Sequence, residues 1–302
     1  MMDKNLRPER APSAPTPSNA TASRSYPARA LSTAHKIGLL GDLHGDIGHS
    51  LTAFETLARR EVRVIVQLGD WGVIWPGQNW QIDLRKFSRA LARHEQTLYF
   101  VDGNHDWHPK LLEYPIDEDG IRWITSNVGH LPRGYRTRIG GQFTLAALGG
   151  ANSTDRAHRL EGKSWWPEEQ ITETDLTRLG FEKADVLVGH EAPLPKEVAL
   201  TFREHETSWT PEEETYAAAS RLMFHRAVRQ IQPSLTLGGH YHRWIDETVI
   251  TPGPNQCETR VVVLDESGKD RVNVAILDTS TLEIAFMFRN GAPAPVTNDG
   301  SP

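Results

Sequence analysis

Cysteine occurs once in the 302 residues, at Cys257. A lone thiol excludes an internal disulfide and fits a reducing compartment, so a cytoplasmic location is expected. No apolar run approaches the roughly 18 residues of a membrane span, and no membrane partner is expected. Basic residues are not in excess either. Lys and Arg total 33 against 39 Asp and Glu, a net charge of -6, which gives little support for a dedicated nucleic-acid binder. No repeat of about 20 to 50 residues is present. The first 34 residues lack the apolar segment of a secretory signal and are biased toward Pro, Ala and Ser. They read as a disordered arm, and residues 290–302 read as a disordered tail. That leaves one domain over 35–289, with 38% hydrophobic and 24% charged residues in the whole chain, as in an ordinary globular protein.

The patterned part alternates. "HKIGLLGD" (35–42), "VRVIVQLGD" (62–70) and "QTLYFVDGN" (96–104) are apolar runs with polar ends. Between them, 49–60 carries Leu51, Phe54 and Leu57 at helical spacing, and 79–95 places Ile82, Phe87 and Leu91 on one helical face. Strand, helix, strand, helix, strand implies right-handed crossovers and a parallel sheet. Residues 134–150 predict two antiparallel strands joined around Gly140-Gly141. Pro167 and the acids after it predict the start of a helix running to 179, and 211–232 predicts a long one. Residues 184–193 and 234–242 are strands ending in histidine, and four further strand-like runs near 245–250, 259–264, 272–278 and 281–288 suggest a second sheet. The expected architecture is two sheets packed face to face with helices outside.

Ligands of such sheets bind beyond the carboxyl ends of the strands. Those ends carry Asp42, His44, Asp70, Asn104, His105, His190, His240 and His242. Asp, Asn and Gly are ordinary turn formers, but turn chemistry does not explain five histidines in matching places. Carboxylate oxygens mixed with imidazole nitrogens suit Mn, Fe or Zn better than a calcium cage. Asp42 and His44, like His240 and His242, are two residues apart, so extended backbone would turn each pair to one side. Asp106 has two readings: a partner that orients the His105 imidazole, or a cap for the segment beginning near His108.

In this order, "GDLHGD", "GD" at 69–70, "GNHD", "GH" at 189–190 and "GHYH" resemble the motif series of calcineurin-like metallophosphoesterases. The resemblance spans about residues 36–243 and implies an α/β fold, a four-layer α/β/β/α sandwich of two mixed β-sheets. It implies two divalent metal ions, Mn²⁺ foremost with Fe and Zn as alternatives. Asp42, His44 and His242 would hold one, Asn104, His190 and His240 the other, and Asp70 would bridge them. His105 would stand beside the phosphate as proton donor or charge stabiliser, assisted by Asp106. The implied reaction is hydrolysis of a phosphate mono- or diester, on a small molecule or nucleotide, by a metal-bridging hydroxide.

Two other enzyme readings use the same metals: a nuclease, and a protein phosphatase. "GDWGVIWPG" lacks the Asp-Arg-Gly signature of the serine/threonine phosphatases, which places the resemblance with the broad family. A metal-binding scaffold without catalysis is the third class, and it would be expected to carry degenerate motifs. Trp71, Trp75 and Trp80 read first as core or loop packing, and secondarily as a wall of the site or a surface that stacks on a base. Arg156, Arg159 and Lys163 read equally as a solvated loop or as contacts to a phosphate.

Overall fold

A computed structural model describes residues 29–77, 79–193, 210–251 and 257–294. The elements follow the chain as α1 (Arg29–Thr33), β1 (Lys36–Leu40), α2 (Ile47–Ala58), β2 (Val64–Gln67), α3 (Trp80–Arg93), β3 (Thr97–Phe100) and α4 (His108–Leu112). Then come β4 (Arg122–Thr125), β5 (Val128–His130), β6 (Arg136–Ile139), β7 (Phe143–Leu148), α5 (Glu173–Leu179), β8 (Val186–Gly189) and α6 (Pro211–Ile231). The last five strands are β9 (Leu235–Gly238), β10 (Ile245–Thr251), β11 (Cys257–Val263), β12 (Val274–Asp278) and β13 (Ile284–Met287).

Among the described residues, thirteen strands form two mixed sheets, ordered β13-β12-β1-β2-β3-β5-β4 and β10-β11-β9-β8-β7-β6. Each has a parallel centre, β1-β2-β3-β5 in one and β11-β9-β8-β7 in the other, bordered by antiparallel strands. Strand periodicity divides the core into layers. Ile37, Leu39, Val64, Val66 and Tyr99 of the first sheet pack against Leu145, Ala147, Val186, Val188, Leu235 and Leu237 of the second. The alternate residues Leu40, Ile65, Leu98 and Phe100 face Phe54 and Leu57 of α2 and Phe87 and Leu91 of α3. On the far side, Ala146, Leu148 and Leu187 face Leu176 of α5 and Phe224, Val228 and Ile231 of α6. This is the expected four-layer α/β/β/α arrangement.

Several expectations are corrected. The late strands do not build the second sheet alone. β10 and β11 join it, but β12 pairs with β1 and β13 with β12 in the first sheet. Ile82 is 45% exposed; Leu84, Phe87, Ala90 and Leu91 form the buried face of α3, and with 3.6 residues per turn Ile82 projects about 180° from Leu91, on the opposite side of the helix. Pro167–Glu169 is a single 3-10 turn, and α5 starts only at Glu173. There the Thr172 side chain accepts the Asp175 N–H while the Asp175 carboxylate accepts the Thr172 N–H, a capping box that satisfies the first turn.

The domain boundaries also move outward. Within the segment expected to be disordered, Arg29–Thr33 is helical, and Leu31 is wholly buried in the intersheet core. On the other side, Ala294 N–H donates to Phe286 O, and Arg60 donates to Gly291 O. The remainder of the expected arm and tail, 1–28 and 295–302, lies outside the described residues.

Candidate metal centre and active site

Adjacent parallel strands end side by side, so the residues that follow them converge. Asp42, Asp70 and Asn104 follow β1, β2 and β3, while His190 and His240 follow β8 and β9 of the facing sheet. Asp42, Asp70, Asn104 and His190 are 0–3% exposed. His44 is 27% and His242 43% exposed at the side chain, so the centre is deep on one side and open on the other.

Ligand-type atoms gather in three overlapping groups, each within 4.8 Å: Asp42, His44 and His242; His44, Asp70 and His105; Asp42, Asp70 and His190. His242 Nε2 is 3.3 Å from Asp42 Oδ2 and 3.0 Å from His44 Nε2. Asp70 lies between the clusters, with Oδ2 3.9 Å from His44 Nδ1 and Oδ1 3.3 Å from His190 Nε2. His190 Nε2 is also 3.1 Å from Asn104 Oδ1. The His240 ring lies 5.1 Å from the His190 ring, and its backbone N–H donates to both Asp42 oxygens.

These contacts test whether the donors fit a metal. His190 Nδ1 is 2.8 Å from Leu68 O and donates to it, the outer hydrogen bond typical of a ligating histidine. Asn104 Nδ2 donates to Ser153 Oγ at 3.2 Å, which turns the amide oxygen inward. A neutral His190 then directs a lone pair at two oxygens, those of Asn104 and Asp70. Only a positive charge reconciles the three acceptors. Without a metal a proton fills that need. Burial alone would lower the His190 pKa, but the Asp70 and Asp42 charges outweigh it and push it up to about 10. Burial likewise would raise Asp70, yet His190 and His105 hold it well below the usual carboxylate range. His240 is held well below the usual imidazole range by burial and by His190, leaving it neutral and able to ligate. The donor set fits divalent ions of borderline character.

The backbone route is not the expected one. His44, Asp70, His240 and His242 have positive φ (43°, 56°, 74° and 49°), half of the eight non-glycine residues so placed among those described. Their side chains converge through left-handed turns after the strands, not through strand alternation. Such conformations cost an L-residue roughly 1–2 kcal/mol each and are concentrated at functional sites. Two glycines allow the approach of neighbouring loops. A Cβ on Gly103 would strike Asp70 Oδ1, and one on Gly239 would strike Asp42 Oδ1.

His105 stands at the mouth. Its N–H donates to Asp70 Oδ1 at 2.6 Å, and its ring meets the His44 ring edge-on at 5.0 Å. The neighbour of its imidazole is Arg159, whose Nη2 lies 2.9 Å from Nδ1 and contacts Nε2. Arg159 is itself only 6% exposed at the side chain, and its Nε is 2.7 Å from Asp155 Oδ1. Burial first, and Arg159 against the pull of Asp70, lower the His105 pKa to about 4.

Asp106 fills neither expected role. Its Oδ2 accepts the N–H groups of Gly103 (2.9 Å) and Asp70 (3.1 Å), and Oδ1 accepts that of Gly72 (3.1 Å). It ties the loop after β2 to the loop after β3. No hydrogen bond joins it to the His105 ring among the described residues, and the side chain does not cap α4, whose N-cap is Trp107. Burial and the charge of Asp70 raise its pKa to about 6.

Two groups near the site are not singled out by the sequence. Arg159 was one of three equivalent basic residues there; only its side chain reaches His105. Glu169 resembled an acid of a helix start. It is fully buried, its Oε1 accepts Ser153 N–H (2.8 Å) and Tyr216 O–H (2.9 Å), and its Oε2 accepts Ser153 O–H (2.6 Å). The chain Tyr216–Glu169–Ser153–Asn104 runs from α6 to the inner site. No local motif announces it, because its members are 104, 153, 169 and 216 in sequence. Of the other histidines, His49 and His130 pack inside, against Asn273 and Asp102.

The family model described as calcineurin-like phosphoesterase matches residues 35–244, more than half of the chain. The chain belongs to the calcineurin-like phosphoesterase family. As a member it is a metal-dependent hydrolase of phosphate esters. A solved structure, TT1561 of Thermus thermophilus, is similar at 15% identity with a TM-score of 0.50, over 85% of this chain and all of that one. A second solved structure aligns with a TM-score of 0.53 and 15% identity over 84% of this chain and 98% of its own. At that identity the likeness concerns the fold alone. No curated protein matches the chain in sequence. No helix among the described residues is long and apolar enough to cross a membrane.

Proposed function

We propose that this phosphoesterase uses two divalent ions, Mn²⁺ foremost, to hydrolyse phosphate mono- or diesters of small molecules or nucleotides. Asp42, His44 and His242 would hold one ion, Asn104, His190 and His240 the other, and Asp70 would serve both. The observation that carries this reading is the position of Asp70. Its two oxygens face His44 on one side and His190 on the other, at 3.9 and 3.3 Å. When bound, the ions supply Lewis-acid polarisation of phosphoryl oxygens and a water acidified toward neutral pH.

The chain's own groups do the rest. His44 and His242, on the open side, admit the phosphoryl group, while the buried Asp42, Asp70 and His190 keep bulk water from the inner side. His105, beside Arg159, would hydrogen-bond a phosphoryl oxygen, and the guanidinium would add a fixed positive charge there. Asp106 holds the two loops that carry Asp70 and Asn104 in register. A cytoplasmic location accords with the single free cysteine.

The test is hydrolysis of simple phosphate mono- and diesters by Mn-loaded protein, with Asp70→Asn and His105→Ala as variants. Activity lost in both supports the assignment. A protein that binds less than one metal per chain after Mn supplementation, and cleaves nothing in the panel, would be a scaffold instead. Salt-sensitive DNA binding would favour the nuclease.

A further inference from the structure

Trp75, Trp166 and Trp107 form a chain of ring contacts leading from His105, and the phosphoesterase reading gives them no task. Trp71, Val73 and Ile74 of the loop after β2 are plugged into the core at 1–3% exposure. Trp75, next in the chain, turns the other way. It is only partly buried, and its ring lies nearly parallel to the His105 imidazole, 6.4 Å between centroids at 25°. Trp166, 4% exposed, meets Trp75 edge-on at 5.3 Å and 82°, and the Trp107 ring lies 6.4 Å from Trp166. Arg156 stacks on Trp165 at 3.6 Å, in the segment that also brings Arg159 to His105.

From this geometry we infer that Trp75 is a stacking platform for a planar aromatic group carried by the substrate's phosphate ester. The inference rests on the proposed phosphoesterase site and narrows its substrate class. A phosphoryl group held beside His105 would bring its ester substituent next to Trp75, whose ring lies nearly parallel to the imidazole. Trp166 braces the indole from its edge, so the face is offered at little cost in side-chain freedom. Stacking on indole tolerates any π-face, so both a nucleobase and a simple aryl ring satisfy it. Trp80, by contrast, is covered by Lys110 at 5.7 Å and serves packing.

The experiment compares esters of alcohols with similar acidity, so that leaving-group chemistry cancels. Benzyl phosphate is set against cyclohexylmethyl phosphate, and adenosine 5′-phosphate against ribose 5-phosphate, each as monoester and methyl diester, with Mn-loaded protein. The expected kcat/KM ratio is about tenfold or more in favour of the aromatic member, the scale of one base–aromatic stack. Preference in the benzyl pair alone identifies an aryl substrate; preference in the adenosine pair identifies a nucleotide. Trp75→Leu should bring the ratio near one and Trp75→Phe should restore part of it, while Trp80→Leu leaves it as it was. A ratio near one in the parent protein, or one that survives Trp75→Leu, overturns the inference. Benzylphosphonate and cyclohexylmethylphosphonate binding, followed by tryptophan fluorescence, provides a second readout. If no ester is hydrolysed, the phosphoesterase reading fails; a Trp75-dependent preference for benzylphosphonate would still uphold the platform, and equal binding would end it.

Discussion

Asp70 and Asp102 are both buried carboxylates after strands of one sheet, 1% and 3% exposed, yet their charges are met in opposite ways. Asp102 receives Arg133 Nε (3.0 Å) and Nη2 (2.6 Å), with His130 Nε2 at 3.2 Å and His108 Nε2 at 3.5 Å. The same guanidinium pairs with Asp175 at 3.1 Å and donates to the carbonyls of Glu168, Glu169 and Gln170. Its positive charge is permanent. Around Asp70 stand His44, His105 and His190, whose charge depends on a proton. The first carboxylate is complete with what the chain supplies. The second is met by imidazoles whose charge is not fixed, and that is the place the proposed metal would take. The two are also linked: Arg133 pins the segment bearing Glu169, which steadies Ser153 and through it Asn104.

Breaking each side of the contrast should give different losses. Asp70→Asn should lower kcat by on the order of 10³-fold or more, with the apo fold retained by circular dichroism. Asp102→Asn should do the reverse. Leaving Arg133 short of a buried partner is expected to cost about 3–5 kcal/mol in urea unfolding, while the metal-loaded folded fraction keeps cleaving ester.

The acid side sharpens the same point. Burial would raise the Asp102 pKa, but Arg133 and the two histidines hold it well below the usual range. A depressed folded pKa contributes stability above the unfolded value of about 3.9 and loses it as pH falls toward the folded value. The parent protein should therefore lose stability below about pH 4 more steeply than Asp102→Asn, at about 1.4 kcal/mol for each unit of depression. Equal acid slopes in the two proteins would remove Asp102 from the account.

Mn²⁺ at about a hundred times its Kd should stabilise the parent by about 2.7 kcal/mol, and chelation should reverse it. Asp70→Asn should show little of that shift in a thermal melt, whereas Asp102→Asn should show it in full. The smallest effect is expected from Ser153→Ala, which frees the Asn104 amide to turn. Metal affinity by calorimetry should fall about tenfold, as for other outer partners of ligands; unchanged affinity would detach the Tyr216–Glu169–Ser153 chain from the centre.

Much of this contrast was legible before the fold was known, but unevenly. Every strand end bearing Asp42, Asp70, Asn104, His190 and His240 could be found because an apolar run followed by Gly and a polar residue is a local signal. The face-to-face sheets followed from strand and helix periods. Asp106 was misread because "NHD" suggests a His–Asp contact between neighbours, whereas the carboxylate turns to backbone N–H groups 34 and 36 residues back, at Gly72 and Asp70. The extended geometry expected for the pairs Asp42/His44 and His240/His242 does not occur, since His44, His240 and His242 stand in left-handed turns.

Sequence alone determined which residues stand at the strand ends and what chemistry they offer, because hydrophobic period and turn residues act over a few positions. Tertiary structure alone decided their partners. Arg159 reaches His105 from 54 residues away, Glu169 steadies Asn104 through Ser153, and Arg133 neutralises Asp102 but not Asp70. These observed pairings, Arg159 with His105, Glu169 with Ser153 and Arg133 with Asp102, depend on which loops the packed sheets bring together, and no short-range pattern encodes that distance.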